Sequence, residues 1–305
     1  MANISLKQLR YFEALAEHAH FGRAADACAI SQPALSMQIK ELEESLGTDL
    51  VERGAKQVRL TRFGAEIAPN VREILKSVEE LQNLARAEQE AVAGQFRIGI
   101  IPTIAPYLLP SIVGQLLAAY PDLDMHLRET QTATLLSDVE DGSLDAAILA
   151  LPVSEPHLVE APLFEEAFVL VRTPEDAALP VPSAEVLGKM RLLLLEEGHC
   201  FRDQALTFCG LRTGLPRDSL EGSSLSTLVQ MVALGLGVTL IPELAVPIET
   251  RSADVSIARF EDRVPMRQVG MVWRKGHPLS AQFQEIGEVV QRVGLDALAQ
   301  MRSTA

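Results

Sequence analysis

The chain reads as an α + α/β protein. A small helical N-terminal segment leads into a long helix and then a larger α/β domain. Three observations predict this. Residues 5–46 carry apolar positions at helical spacing with capping signals. Residues 62–93 carry apolar positions that step 4-3-4-3-4. After Gly94 short β-rich runs alternate with helical stretches, the pattern of an α/β domain.

In SLKQLRYFEALAEH (5–18), Ser5 and Gln8 fit a capping box, and Leu6, Leu9, Phe12 and Leu15 or Ala16 form an apolar stripe. GRAADACA (22–29) reads as a short helix of small residues, with Cys28 in its core. A tight turn leads to SQPALSMQIKELEESLG. There Ser31 is a natural N-cap, and Pro33 is tolerated because it falls in the first turn. Leu35, Ile39, Leu42 and Leu46 make the buried face, which leaves Pro33, Ser36, Met37 and Lys40 on the opposite one. A short helix followed by a well-capped one is helix-turn-helix geometry, in which the second enters a DNA major groove. Small Ser and Pro permit close approach, Lys40 can meet a phosphate, and a Gln can bond a base edge. DLVERGAKQVRLT (49–61) alternates around Gly54-Ala55 and reads as a two-stranded wing carrying Arg53, Lys56 and Arg59. From spacing alone, three small helices packed together with a solvated outer face are the commoner account.

Ile67, Val71, Ile74, Val78, Leu81 and Ala85 give the long helix a heptad seam, which implies pairing with a second copy. The alternative is a helix packed on its own core. Pro69 is expected to kink it or disturb its hydrogen bonds locally. Beyond it, QFRIGIIPT, DAAILALPV, FVLVRT, RLLLLEEG, GVTLIPEL and VGMVWRKG are the strand candidates. Boundaries are placed at 1–61, 62–93 and 94–305.

The 305 residues, 48% apolar and 22% charged, describe an ordinary globular chain with room for two or three domains. No stretch is long and apolar enough to span a bilayer, and no secretory signal opens the sequence, so no membrane partner and a cytoplasmic location are expected. The net charge of −14 argues against nucleic acid, but residues 1–65 hold as many cations as anions. The whole deficit lies beyond them.

Two of the three cysteines, Cys200 and Cys209, lie in EEGHCFRDQALTFCG. A disulfide in a reducing cytoplasm is more often redox-sensing or catalytic than structural. If the segment between them is helical, the two α-carbons stand roughly 13 Å apart along the axis, and a disulfide needs about 4.4–6.8 Å. Bonding then requires the segment to unwind. His199 if protonated, Arg202, and a helix start near position 200 all favour a thiolate at Cys200. Two cysteines buried by chance, or a Cys–His nucleophile, are the other accounts of this stretch. A zinc site is disfavoured because paired ligand spacing is absent, so no metal or cofactor is expected.

SQPALSMQIKELEESLG and FGRAADACAISQPALS resemble the helix-turn-helix of LysR-type transcriptional regulators. GHCFRDQALTFC, IIPTIAPYLLP and ETQTATLL resemble the peroxide-sensing, OxyR-like group of that family, and the likeness runs over nearly the whole chain. It implies a winged helix-turn-helix, a linker helix, and a periplasmic-binding-protein-like domain of two α/β subdomains. Subdomain I would be about 95–164 and 270–305, subdomain II about 165–269, with strands crossing near 163–170 and 266–273. It implies a non-enzymatic activator of oxidative-stress genes that binds promoter DNA and signals to RNA polymerase. It also implies a dimer that pairs into a homotetramer, with hydrogen peroxide as the signal. By matching position, Ser31, Gln32, Pro33, Ser36 and Lys40 contact DNA, with Arg53 and Arg59 on the wing. Ile67, Val71, Ile74, Val78 and Leu81 dimerise. Cys200 is peroxidatic and Cys209 resolving, while Thr103, Thr132, His199 and Arg202 form the peroxide pocket. The group carries a histidine where this chain reads Ser219 in RDSLEGSS, so the pattern departs there. The competing signal is a small organic anion in the inter-subdomain cleft, held by Thr103, Ser223 and Ser224.

Overall fold

A computed structural model of the chain describes residues 4–52, 58–88, 92–211, 220–261 and 263–304. The chain divides into two compact units, Met1–Glu88 and Gln89–Ala305.

The first unit contains α1 (Leu6–His18), α2 (Phe21–Ala27), α3 (Gln32–Leu46) and α4 (Arg62–Ala87). Local chemistry explains each boundary. Ser5 and Gln8 form the complete capping box at the start of α1. His20 opens α2, its Nδ1 accepting from the amides of Gly22 (3.0 Å) and Arg23 (3.3 Å). Cys28 caps α2, which ends two residues before the expected boundary, and Ala29 follows with φ +51°. Ser31 caps α3 by accepting from the Ala34 amide, and Gly47 ends it in the left-handed region, φ +72°. Leu9, Phe12, Leu15, Leu35, Ile39 and Leu42 are buried in one core, whereas Leu6 is 44% exposed and lies off the stripe. The Glu43 carboxylate is buried too, because it accepts from the Leu50 (2.8 Å) and Val51 (3.3 Å) amides and fixes the chain leaving α3. Val51 pairs with Leu60 in an antiparallel bridge at the base of the expected two-stranded wing, whose residues 53–57 lie outside the described residues.

Helix α4 continues past Pro69, which has no N–H to donate to the preceding turn, and ends at Ala87 rather than near Ala93. Val71 is 4% exposed, and it and Ile67 pack on the unit's own core. They are therefore not free to face a second chain. Ile74 (47% exposed), Leu81 (66%) and Leu84 (53%) carry the outward apolar stripe.

The second unit runs β1 (Gly94–Ile100), α5 (Ala105–Ala119), β2 (Leu123–Glu129), α6 (Thr132–Asp141), β3 (Ala146–Leu151) and β4 (Leu158–Arg172). It continues α7 (Ala184–Leu187), β5 (Leu194–Leu195), α8 (Cys200–Phe208), β6 (Glu221–Gly222), α9 (Leu225–Ala233) and β7 (Thr239–Pro242). It closes with α10 (Val246–Glu249), β8 (Ser256–Arg259), β9 (Met266–Arg274) and α11 (Ser280–Thr304). The main sheet has the order β2-β1-β3-β9-β4-β7, with β8 also on β4. β1 is parallel to β2 and β3, while β9 is antiparallel to both β3 and β4. β4 pairs with β9 over Leu158–Ala167 and with β7 and β8 over Phe168–Arg172, so one strand serves two halves. The change of partner falls between Ala167 and Phe168. One half builds its core around Phe96, Trp273 and Phe283, the other around Phe168, Leu193, Leu228 and Leu240.

Polar contacts tie the halves together. The Tyr107 hydroxyl on α5 donates to Glu249 Oε1 on α10 (2.7 Å), and Ser226 donates to Oε2 (2.5 Å). Burial, then the Glu249 carboxylate, pushes the Tyr107 phenol far above its ordinary range. Gln131, beside α6, reaches Glu197, beside α8. At the strand crossing Arg267 pairs with Glu166 and bonds Thr103, and Arg302 on α11 reaches Glu243 at 3.3 Å. No described helix is long and apolar enough to cross a membrane. Among the described residues, no group of three His, Cys, Asp or Glu side chains could hold a metal.

Candidate functional site

Cys200 and Cys209 stand at opposite ends of one helix. Cys200 is the first residue of α8 and half-buried; Cys209 caps its end and is 5% exposed. Both are free thiols. A rise of about 1.5 Å per residue separates the two α-carbons by roughly 13 Å. No rotamer closes that gap while the helix persists. Burial pushes the Cys209 thiol up to about 11, so at neutral pH it is a protonated, poorly nucleophilic group.

The start of α8 is held from several sides. Phe201, 2% exposed, packs on Phe168 with ring centroids 4.8 Å apart and lies under the Arg267 guanidinium, 5.8 Å from Cζ to centroid. Arg202 is buried and donates through Nη1 to the Leu195 carbonyl and to Glu221 Oε1, each at 2.7 Å. It therefore pins the helix to β5 and β6. His199 is the N-cap residue but makes no side-chain capping bond. Its burial lowers its pKa, partly opposed by Glu196, so the imidazole is held neutral rather than as the cation that would assist a thiolate. Gly198 has φ +96° and lies directly against the Gln131 amide.

Thr103 and Thr132 reach this region by different routes. Thr103 is 2% exposed, and its Oγ1 accepts from Arg267 Nη1 at 2.8 Å while its carbonyl accepts from Nη2 at 2.9 Å. Arg267 is also paired with Glu166, its cross-strand partner, with Nη2 2.6 Å from Oε1, and both side chains are fully buried. The second Glu166 oxygen accepts from the Leu244 amide at 3.2 Å, so the buried charges are paired and hydrogen-bonded. Thr132 opens α6, and its buried Oγ1 has no hydrogen-bond partner among the described residues. Arg267 and Glu166 were not singled out from the sequence. The signal was a charge inside each of two apolar strands, which is costly unless the two meet.

On the first unit, Ser31, Gln32, Pro33, Ser36, Met37 and Lys40 are all exposed on α3. Lys40 meets Glu44 at 3.5 Å, with both side chains more than half exposed. Arg59 is described on the return from the wing, where its carbonyl accepts from the Glu52 amide at 2.8 Å; Arg53 and Lys56 lie outside the described residues. Ser219 does too. Ser223 and Ser224 are exposed, and the Ser224 hydroxyl caps α9 by accepting from the Thr227 amide (3.2 Å).

Comparison with known proteins agrees in both units. Residues 6–65 match the family described as bacterial regulatory helix-turn-helix protein, lysR family, and residues 89–294 match the LysR substrate binding domain. The DNA-binding transcriptional dual regulator OxyR of Escherichia coli K12 is 41% identical over 292 residues, covering 94% of this chain and 95% of that one. A probable hydrogen peroxide-inducible genes activator of Streptomyces viridosporus is 43% identical over 299 residues, covering 96% and 95%. Full-length OxyR from Pseudomonas aeruginosa, solved as a cysteine-to-aspartate variant, superposes with a TM-score of 0.72 at 35% identity, covering 95% of each chain. A cysteine-to-serine variant of Corynebacterium glutamicum OxyR, bound to hydrogen peroxide, gives 0.69 at 36% identity, covering 98% and 95%. The chain belongs to the LysR family of bacterial helix-turn-helix transcriptional regulators, within its group of hydrogen peroxide-inducible genes activators.

Proposed function

We propose that the protein senses hydrogen peroxide through reversible Cys200–Cys209 disulfide formation and in response alters its grip on promoter DNA. The observation that carries this reading is the placement of two free thiols at opposite ends of a nine-residue helix, one half-exposed and one buried. The Cys200 sulfur attacks the peroxide O–O bond as its thiolate, becomes a sulfenic acid, and releases hydroxide. Cys209 then displaces the sulfenic oxygen, which leaves as water, and the disulfide forms. Thr103, Thr132 and His199 are assigned to holding peroxide at Cys200. Arg202 holds the helix start rather than the thiol itself, given its two bonds to Leu195 and Glu221.

The anchors at Phe201 and Arg202 keep the Cys200 end in place, so Cys209 makes the journey. The helix must unwind for it to arrive, and the remodelled segment is what shifts contacts between subunits. A dimer assembled through the outward stripe of α4, and a tetramer of two such dimers, suit a promoter with repeated half-sites. Ser31, Gln32, Pro33, Ser36 and Lys40 face the groove, Arg53 and Arg59 reach the backbone, and RNA polymerase receives the signal in the cytoplasm.

The test is peptide mass spectrometry after brief peroxide treatment, with footprinting of the reduced and oxidised protein. A Cys200–Cys209 linkage, absent in Cys200→Ser, together with a changed footprint is the expected result. Thiols that stay reduced, or a footprint indifferent to the linkage, would overturn it.

A further inference from the structure

The turn that presents Cys200 is held by a residue from the opposite half of its domain. Gln131 occupies the N-cap position of α6, yet its side chain makes no capping bond there. It extends instead to the Glu196–His199 turn, where Nε2 donates to the Glu197 carbonyl at a long 3.5 Å. The closer contact is with Gly198. A β-carbon on Gly198 would lie 2.9 Å from Gln131 Cδ and 3.2 Å from Nε2. A side chain there would push the Gln131 amide out of its contact, and φ of +96° favours glycine independently. The next residue but one from Gly198 is Cys200, and the next residue from Gln131 is Thr132, with its buried, unpartnered hydroxyl.

We propose that Gln131 is a positioning residue for peroxide oxidation of Cys200. It packs against Gly198 and clamps the turn to α6, which fixes the spacing between the Cys200 sulfur and the Thr132 hydroxyl. The inference rests on the peroxide reading but concerns a residue that reading does not use. A clamp across the two halves matters because reacting atoms must be held near 3–3.5 Å, and small misplacements are costly in rate. The contact restrains position and leaves the chemical nature of the thiol unchanged, so it should affect peroxide, which must be oriented, more than a small alkylating reagent.

The experiment uses the full chain in a Cys209→Ser background, so that oxidation stops at the sulfenic acid. Rates at Cys200 are followed by peptide mass spectrometry with hydrogen peroxide and, separately, with iodoacetamide. Gln131→Ala is expected to slow the peroxide reaction by about fivefold to tenfold. The iodoacetamide rate and its pH profile should move less than about twofold. Equal slowing with both reagents, or an unchanged peroxide rate beside a reactive parent protein, overturns the proposal. A second arm tests the contact directly. Gly198→Ala should cost much less in the Gln131→Ala background than alone, because the strain at φ +96° is common to both and only the overlap differs. Additive effects overturn the clamp. If the parent itself resists peroxide, the peroxide reading fails on its own. Amide exchange at residues 197–200 then decides the clamp: faster exchange in Gln131→Ala supports it, and unchanged exchange sinks it.

Discussion

Position 207 offers a direct measure of whether α8 must unwind before the disulfide closes. Thr207 is exposed near the end of the helix, so replacing it perturbs helix propensity with little effect on packing. Alanine and glycine there differ by about 1 kcal/mol in helix preference, and threonine lies between them. If unwinding is a rapid equilibrium ahead of attack by Cys209, that difference appears in full in the resolution rate, about fivefold between Thr207→Ala and Thr207→Gly. The alanine variant should be the slower. The first oxidation, at the far end of the helix, should be the same in both. Rapid quenching after a peroxide pulse, with alkylation and mass spectrometry, separates loss of the sulfenic acid from its formation. Equal resolution rates, or glycine slower than alanine, would show that the helix is not the barrier. The burial of Cys209 adds to the same barrier: release from about 11 to the ordinary value of 9.0 multiplies its thiolate fraction at neutral pH by roughly 100.

Three further outcomes follow from the geometry. In the reduced protein, alkylation of Cys209 should climb about tenfold per pH unit from pH 7 toward 10, because the raised pKa keeps the thiolate scarce over that span; a plateau near 8.5 would mean the thiol is not buried. Arg267→Met leaves Glu166 charged and unpaired in a fully buried site, which should cost about 3–5 kcal/mol and lower the melting temperature by about 10 °C, as read by calorimetry. Lys40→Ala should weaken DNA binding similarly across sequences and reduce the salt slope by about 1, measured by fluorescence anisotropy over a salt series; a loss confined to one base would refute a phosphate role.

Much of the fold was legible because its signals are local. Ser5 with Gln8, and Ser31 ahead of Pro33, announce helix starts through bonds spanning three residues. The apolar runs at 168–173 and 269–276 announce the strands that meet at the crossing. Contacts made over long separations were not legible. Glu166 and Arg267, 101 positions apart, are set side by side only by the sheet register. Arg202 was expected to face the thiol, but nothing local reveals that Glu221 and the Leu195 carbonyl will claim it. The heptad seam likewise could not distinguish Val71, which its own unit buries, from Leu81, which it leaves out. Periodicity gives a face of a helix without saying which neighbour covers it.

Strand β4 belongs to both halves of the second unit and is laddered to β9 for most of its length. Its partners change between Ala167 and Phe168, so each ladder lies on one side of that point. A change of angle between the halves would bend β4 there and leave both ladders whole. The clasp at Arg267, Glu166 and Thr103 sits beside the same point, so it is placed to set how freely the two halves tilt.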